Sequence, residues 1–72
     1  MSPEKLVMMA NQIAIFFSTQ PGADRAARVA AHINDFWEPR MRLQLAAQFN
    51  AGGEGFSPLV KEAFDHIRVP DC

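Results

Sequence analysis

A single cysteine, Cys72, in 72 residues excludes an internal disulfide framework and any multi-cysteine zinc site. Seven basic side chains against eight acidic ones leave a net charge of −1, so the broad positive surface that grips nucleic acid is missing. No apolar run approaches the ~20 residues that span a bilayer. The opening Ser2-Pro3-Glu4-Lys5 starts a helix and lacks the basic first region of a secretory signal, so a soluble, cytoplasmic chain is expected. No stretch alternates with period two long enough to read as a strand. A chain this short buries only roughly 60% of the surface its unfolded form exposes, and such domains usually lean on a staple, a metal or a partner.

What is present is helical periodicity. Prolines mark three breaks and leave four apolar-periodic pieces. Ser2-Pro3 pairs a good N-cap with the residue best tolerated at the first helical position. Leu6, Met9, Ile13, Phe16 and Phe17 then share one arc of the wheel, with Ala10 beside them. Gln20-Pro21-Gly22 stops this run. Ala26, Val29, Ala30, Ile33, Phe36 and Trp37 form the next face, until Pro39 disfavours helix at Glu38. Met41, Leu45 and Phe49 recur at four-residue spacing in a third piece. After a glycine-rich connector, Ser57-Pro58 repeats the opening signature, ahead of Leu59, Val60, Ala63, Phe64 and Ile67. The pattern predicts an all-α fold, a compact array of three to four short helices. Residues 1–72 form one domain, with helices over about 3–19, 24–37, 39–50 and 58–68.

Met8 and Ile15 lie opposite the main apolar arc of the first piece. Either the other helices surround this one, or the pair is a strip left for another chain, since monomers seldom leave clustered apolar side chains in water. Leu43 lies off the main face of the third piece and adds to that strip. A symmetric contact through the first helix would bury Met8 and Ile15 in a homodimer.

Few residues suggest chemistry. His32 and Asp35, three apart, can meet on a helix surface with Glu38 nearby, but three such groups make a weak metal site. Asp24, Arg28, His32 and Asp35 can equally pair along one solvated flank. Glu62 and His66 have the spacing of an ordinary surface pair. Cys72 has no basic neighbour to activate it, and Asp71 works against its ionisation; an inert thiol is expected. Gly52-Gly53 with Gly55 has neither the strand nor the lysine of a phosphate loop. Arg40, Arg42, Gln44 and Gln48 give the third piece some look of a recognition helix, the basis of an alternative helix-turn-helix reading. No catalytic, cofactor-binding or metal residues are assigned, and the chain is not expected to be an enzyme.

The most informative segment is His32-Ile33-Asn34-Asp35-Phe36-Trp37-Glu38-Pro39-Arg40-Met41-Arg42. Trp and Arg are enriched where partner chains bind most tightly. The segment therefore reads as an interaction elbow, with Phe36 buried and Trp37, Arg40 and Arg42 at its rim, alongside His32, Asp35 and Glu38.

This segment, together with Ser2-Pro3-Glu4-Lys5-Leu6-Val7, Met9-Ala10-Asn11-Gln12-Ile13-Ala14 and Phe16-Phe17, resembles the small delta subunit of bacterial NAD-dependent, molybdenum-containing formate dehydrogenases. The likeness spans nearly the whole chain and is thinnest from Ala51 to Cys72. It implies larger formate dehydrogenase subunits as partners; these hold the bis-molybdopterin guanine dinucleotide centre, the iron–sulfur clusters and the flavin. It also implies an accessory role in assembly, stability or cofactor loading, with no cofactor of the small chain's own. Arginine forks match phosphate well, so Arg40 and Arg42 are the residues that could meet the cofactor's phosphates.

Overall fold

Ser2 begins the first helix by local chemistry: its backbone is extended and its hydroxyl accepts from the Lys5 amide at 3.4 Å. This computed structural model describes residues 2–70, so the readings of Cys72 and Asp71 lie outside the described residues. Helix α1 runs Pro3–Ser18. It ends where the Ser18 and Thr19 hydroxyls donate to the Ile15 and Phe16 carbonyls, both at 2.7 Å, satisfying acceptors that a helix end leaves open.

Helix α2 spans Arg25–Phe36. Asp24 precedes it without a side-chain cap, because its carboxylate is engaged by Arg28 Nε at 3.2 Å. The chain leaves the helix at Trp37 (φ −94°, ψ 133°), and Glu38 is extended before Pro39 (ψ 153°), as a residue preceding proline favours. Helix α3, Pro39–Asn50, closes with the Gly53 amide on the Gln48 carbonyl and the Gly52 amide on Phe49, both 3.2 Å. That bond pair is the glycine-dependent helix stop.

Helix α4 covers only Pro58–Ala63, five residues short of the predicted end at 68. Past Lys61 the amides of Phe64, Asp65, His66 and Ile67 reach carbonyls three residues back, the tighter bonding typical of a helix running out. Asn34 then captures the His66 carbonyl and the Arg68 amide and pulls the chain off the helical path.

The fold is all-α, four helices with no strand among the described residues. Helix α1 packs against α2, α3 and α4; α2 also packs against α4, and α3 rests mainly on α1. Leu6, Val29, Ile33, Leu45 and Val60 are fully buried at the centre, each worth roughly 1.5–3 kcal/mol of transfer free energy. Ala10, Ala14, Ala30 and Ala63 are buried beside them and let the helices approach closely. A phenylalanine cluster closes one side, with Phe49 stacked on Phe64 at 4.2 Å and Phe56 edge-on to Phe64 at 5.6 Å.

Two aromatic positions reverse the sequence expectation. Phe36, expected inside, is 74% exposed, whereas Trp37, expected at a rim, is only 6% exposed. Phe36 sits at the margin of the α2 arc and packs outward against His32 (ring centroids 4.7 Å). Trp37 lies one turn after the buried Ile33 and still bonds its carbonyl at 2.9 Å, so its indole falls on the core face of α2. Phe16, placed on the core arc by periodicity, is likewise 60% exposed.

Candidate partner interface

Helix α1 is rich in large apolar side chains, yet only Leu6, Ala10 and Ala14 are buried on it. Its outer side leaves Met8 58% and Ile15 63% exposed. The other helices therefore do not surround it, which removes the buried alternative for this pair. Leu43 is half-buried and contributes less than its wheel position suggests.

Beside this ridge, α1 and α2 enclose an open groove of about 400 Å³, lined by Met9, Gln12, Ile13, Phe16, Phe17, His32 and Trp37. Its aromatic wall is continuous: Phe16 meets Phe17 edge-on at 5.1 Å, Phe17 meets His32 at 6.3 Å, and His32 meets Phe36 at 4.7 Å. Aromatic pairs at these separations add attraction beyond the area they bury. A smaller recess of about 280 Å³ lies on the other flank of Ile15, against Ser57, Pro58 and Leu59. Two largely apolar recesses thus flank the Met8–Ile15 ridge, with Lys5 and Gln12 on one side of it and Glu4 and Asn11 on the other, and clustered exposed apolar side chains of this kind mark interaction sites.

The elbow residues divide. Trp37 is buried and forms part of the groove lining. Arg42 is turned inward: its Nη1 donates to the Arg68 carbonyl at 2.6 Å, and its Nε is buried without a partner. Arg40, Asp35 and Glu38 are exposed, and among the described residues none of them joins an ion pair. His32 has its ring against Phe17 and Phe36, so it belongs to the aromatic wall.

Among the described residues no three His, Cys, Asp or Glu side chains come together as metal ligands. The single ion pair found there is Arg28 with Asp24. The hydrogen bond from Arg28, helped by a backbone hydrogen bond, holds the Asp24 carboxyl below its ordinary value. Glu62 and His66 form no such pair, because His66 lies past the end of α4. Nor is the helix-turn-helix alternative favoured: α3 packs on α1 with little contact to α2, and Arg42 is turned inward onto the Arg68 carbonyl.

Sequence periodicity missed Gln12 and Phe16 as groove residues. It also passed over Asn11 and Asn34, whose amides hold the chain on either side of α4. Asparagine inside a helix was the available signal, because its side chain competes for backbone partners.

The family model of the NADH-dependent formate dehydrogenase delta subunit, FdsD, matches residues 5–64. The chain belongs to this family. No curated protein gives a significant match. The FdsD match takes in the groove, the Met8–Ile15 ridge and the elbow, and it stops short of the segment that Asn34 and Arg42 hold at Arg68. Among the described residues no helix of this delta-subunit fold is long and apolar enough to cross a membrane.

Proposed function

We propose that the chain is a non-catalytic accessory subunit of a cytoplasmic, NAD-dependent molybdenum formate dehydrogenase. It acts by protein–protein contact, supporting complex stability or molybdenum-cofactor loading in a larger subunit. Membership of the delta-subunit family supplies the complex. One observation carries the mode of action: Met8, Ile15, Phe16 and Phe36 all stand exposed in a domain of 72 residues. Leaving that much apolar surface in water is unfavourable, and covering it recovers roughly 25 cal/mol per Å² before the costs of association.

In this reading Met8 and Ile15 are the central contacts. Arg40, Asp35 and Glu38 form a polar rim. His32 and Trp37 shape the adjoining groove, and Arg42 holds the elbow from within. The Met8–Ile15 ridge is also what a two-fold homodimer of the free chain would bury. Sedimentation showing only monomer at micromolar concentration would remove the homodimer.

Co-purification from cells making the larger subunits is the test, comparing tagged wild type with Met8→Ser/Ile15→Ser and with Arg40→Ala. The wild type should bring down the enzyme and the double variant should not. Molybdenum content and formate oxidation then separate cofactor loading from simple stabilisation. A folded wild-type chain that captures no formate dehydrogenase subunit would defeat the proposal.

A further inference from the structure

We propose that Met8 is an oxidative modification site: peroxide converts its thioether to the sulfoxide, which switches off the Met8–Ile15 ridge while the domain stays folded. What is switched off, the docking of a larger subunit, rests on the accessory-subunit reading; the site itself rests on the structure.

Exposure singles out the sulfur. Of the four methionines, Met1 lies outside the described residues, and Met9 and Met41 are partly buried and packed against the core. Met8 is 58% exposed on the open side of α1. A peroxide must reach the sulfur to react, so a thioether packed on the core is slow and one standing in water is fast. The reaction is an oxygen-atom transfer. A sulfur lone pair attacks one oxygen of hydrogen peroxide, the S–O bond forms as the O–O bond breaks, and after a proton shift the other oxygen leaves as water. Sulfur gives up an electron pair and the peroxide takes it.

The fold tolerates the product and an apolar interface does not. The sulfoxide oxygen is a strong acceptor on a side chain that was apolar. On the free chain it stays in water. Lys5 and Gln12, both exposed and one turn to either side of Met8, share its helix face and carry N–H groups that can donate to it. No core contact is lost, because Met8 makes none. A partner laid over Met8 and Ile15 excludes that water, and burying a polar oxygen without a hydrogen bond is costly. The same oxygen on Met9 or Met41 would enter packed core and loosen the helices. Oxidation at Met8 therefore falls on unassembled copies, and sulfoxide reductases reverse it, one enzyme for each sulfur epimer.

The test treats the full chain with hydrogen peroxide and maps the added oxygen by mass spectrometry over time. Met8 should react several-fold faster than Met9 and Met41. Chain oxidised at Met8 should keep its helical circular dichroism and its melting midpoint, and should leave a phenyl column earlier than untreated chain. Met8→Leu conserves the side-chain volume and should be retained equally before and after peroxide. Added to larger subunits made without it, untreated chain should capture them, and oxidised chain should bind about tenfold or more weakly. The two sulfoxide reductases should restore that capture, and Met8→Leu should capture equally with or without peroxide. Met8 reacting no faster than Met9 and Met41, unfolding on its oxidation, or unchanged column retention would overturn the proposal. So would the same loss of retention in Met8→Leu, which assigns the effect to another side chain. If oxidation and retention behave as stated but untreated chain captures no larger subunit, the accessory reading fails and the site stands. Capture that survives oxidation of Met8 leaves the accessory reading standing and removes the switch.

Discussion

Asn11 on α1 and Asn34 on α2 hold the two ends of α4 with the same pair of hydrogen bonds. The Asn11 amide donates to the Gly55 carbonyl at 2.7 Å and accepts from the Ser57 amide at 2.9 Å. The Asn34 amide donates to the His66 carbonyl at 3.1 Å and accepts from the Arg68 amide at 2.8 Å. Each grip spans a residue and the one two further on, and a carboxamide carries the donor and acceptor side by side that this needs. A helix of six residues cannot persist alone in water; α4 is held by these grips and by its packing on α1 and α2.

Replacing either asparagine should therefore destabilise the domain well beyond a normal surface change. Asn11→Ala removes two hydrogen bonds, each with a net value of about 0.5–1.5 kcal/mol. Asn34→Asp keeps the acceptor and loses the donor to His66, so it should fall between wild type and Asn34→Ala. Urea unfolding followed by helical circular dichroism measures both. Midpoints within error of wild type would show that water replaces these bonds without loss.

Neighbouring aromatics should behave in opposite ways. Trp37 is buried in the core cluster, and Trp37→Ala should cost about 3–5 kcal/mol, enough to leave a marginal domain largely unfolded. Phe36→Ser should alter stability by no more than about 0.5 kcal/mol. Thermal melts of the two variants side by side decide the matter, and a Phe36→Ser loss as large as that at Trp37 would contradict the exposure of the Phe36 ring.

Gly53 has φ +67°, and an added Cβ would meet nothing closer than the Phe49 carbonyl oxygen at 3.6 Å. The space is adequate, so the penalty of Gly53→Ala comes from the backbone alone, about 1–2 kcal/mol. Gly53→Asn should lose less, because asparagine tolerates the left-handed region. Denaturant midpoints ordered wild type, Asn, Ala are the expected result.

Acid should weaken the contact at the start of α2. Asp24 has a lowered pKa through its hydrogen bond from Arg28, so the folded state binds its proton less readily than the unfolded chain. The resulting stability is present above the ordinary carboxylate pKa of about 3.9 and is lost as pH falls through the lower folded value. Both side chains are more than half exposed, so the effect is small and screened by salt. Melting wild type and Asp24→Asn across the acid range should show their difference closing toward low pH.

Much of the helical plan could be read from the sequence, because proline and serine act locally. Ser2-Pro3 and Ser57-Pro58 begin helices as their chemistry requires, and Pro39 ends one helix and opens the next. The exposed Met8 and Ile15 were also legible, since they stand opposite the buried arc. What could not be read depends on contacts between distant segments. The early end of α4 is imposed by Asn34, 32 residues before His66. The inward turn of Arg42 likewise needs Arg68 in place, 26 residues away. The exchange of Trp37 and Phe36, by contrast, is in the wheel: Trp37 lies one turn after the buried Ile33 and Phe36 one turn after the half-exposed His32, and the rim expectation for Trp37 comes from residue type.

Helix α1 touches every other helix while its opposite side stays open. Whatever binds that side only in the folded chain consequently stabilises the whole domain against unfolding. An occupant at one hundred times its dissociation constant adds about 2.7 kcal/mol, a large share of what a domain of this size holds on its own. Chains without an occupant would populate the unfolded state far more often, and cellular proteases remove such molecules first. A partner seated on the open side of α1 would thereby lengthen the lifetime of the chain, and an unassembled copy would be cleared first.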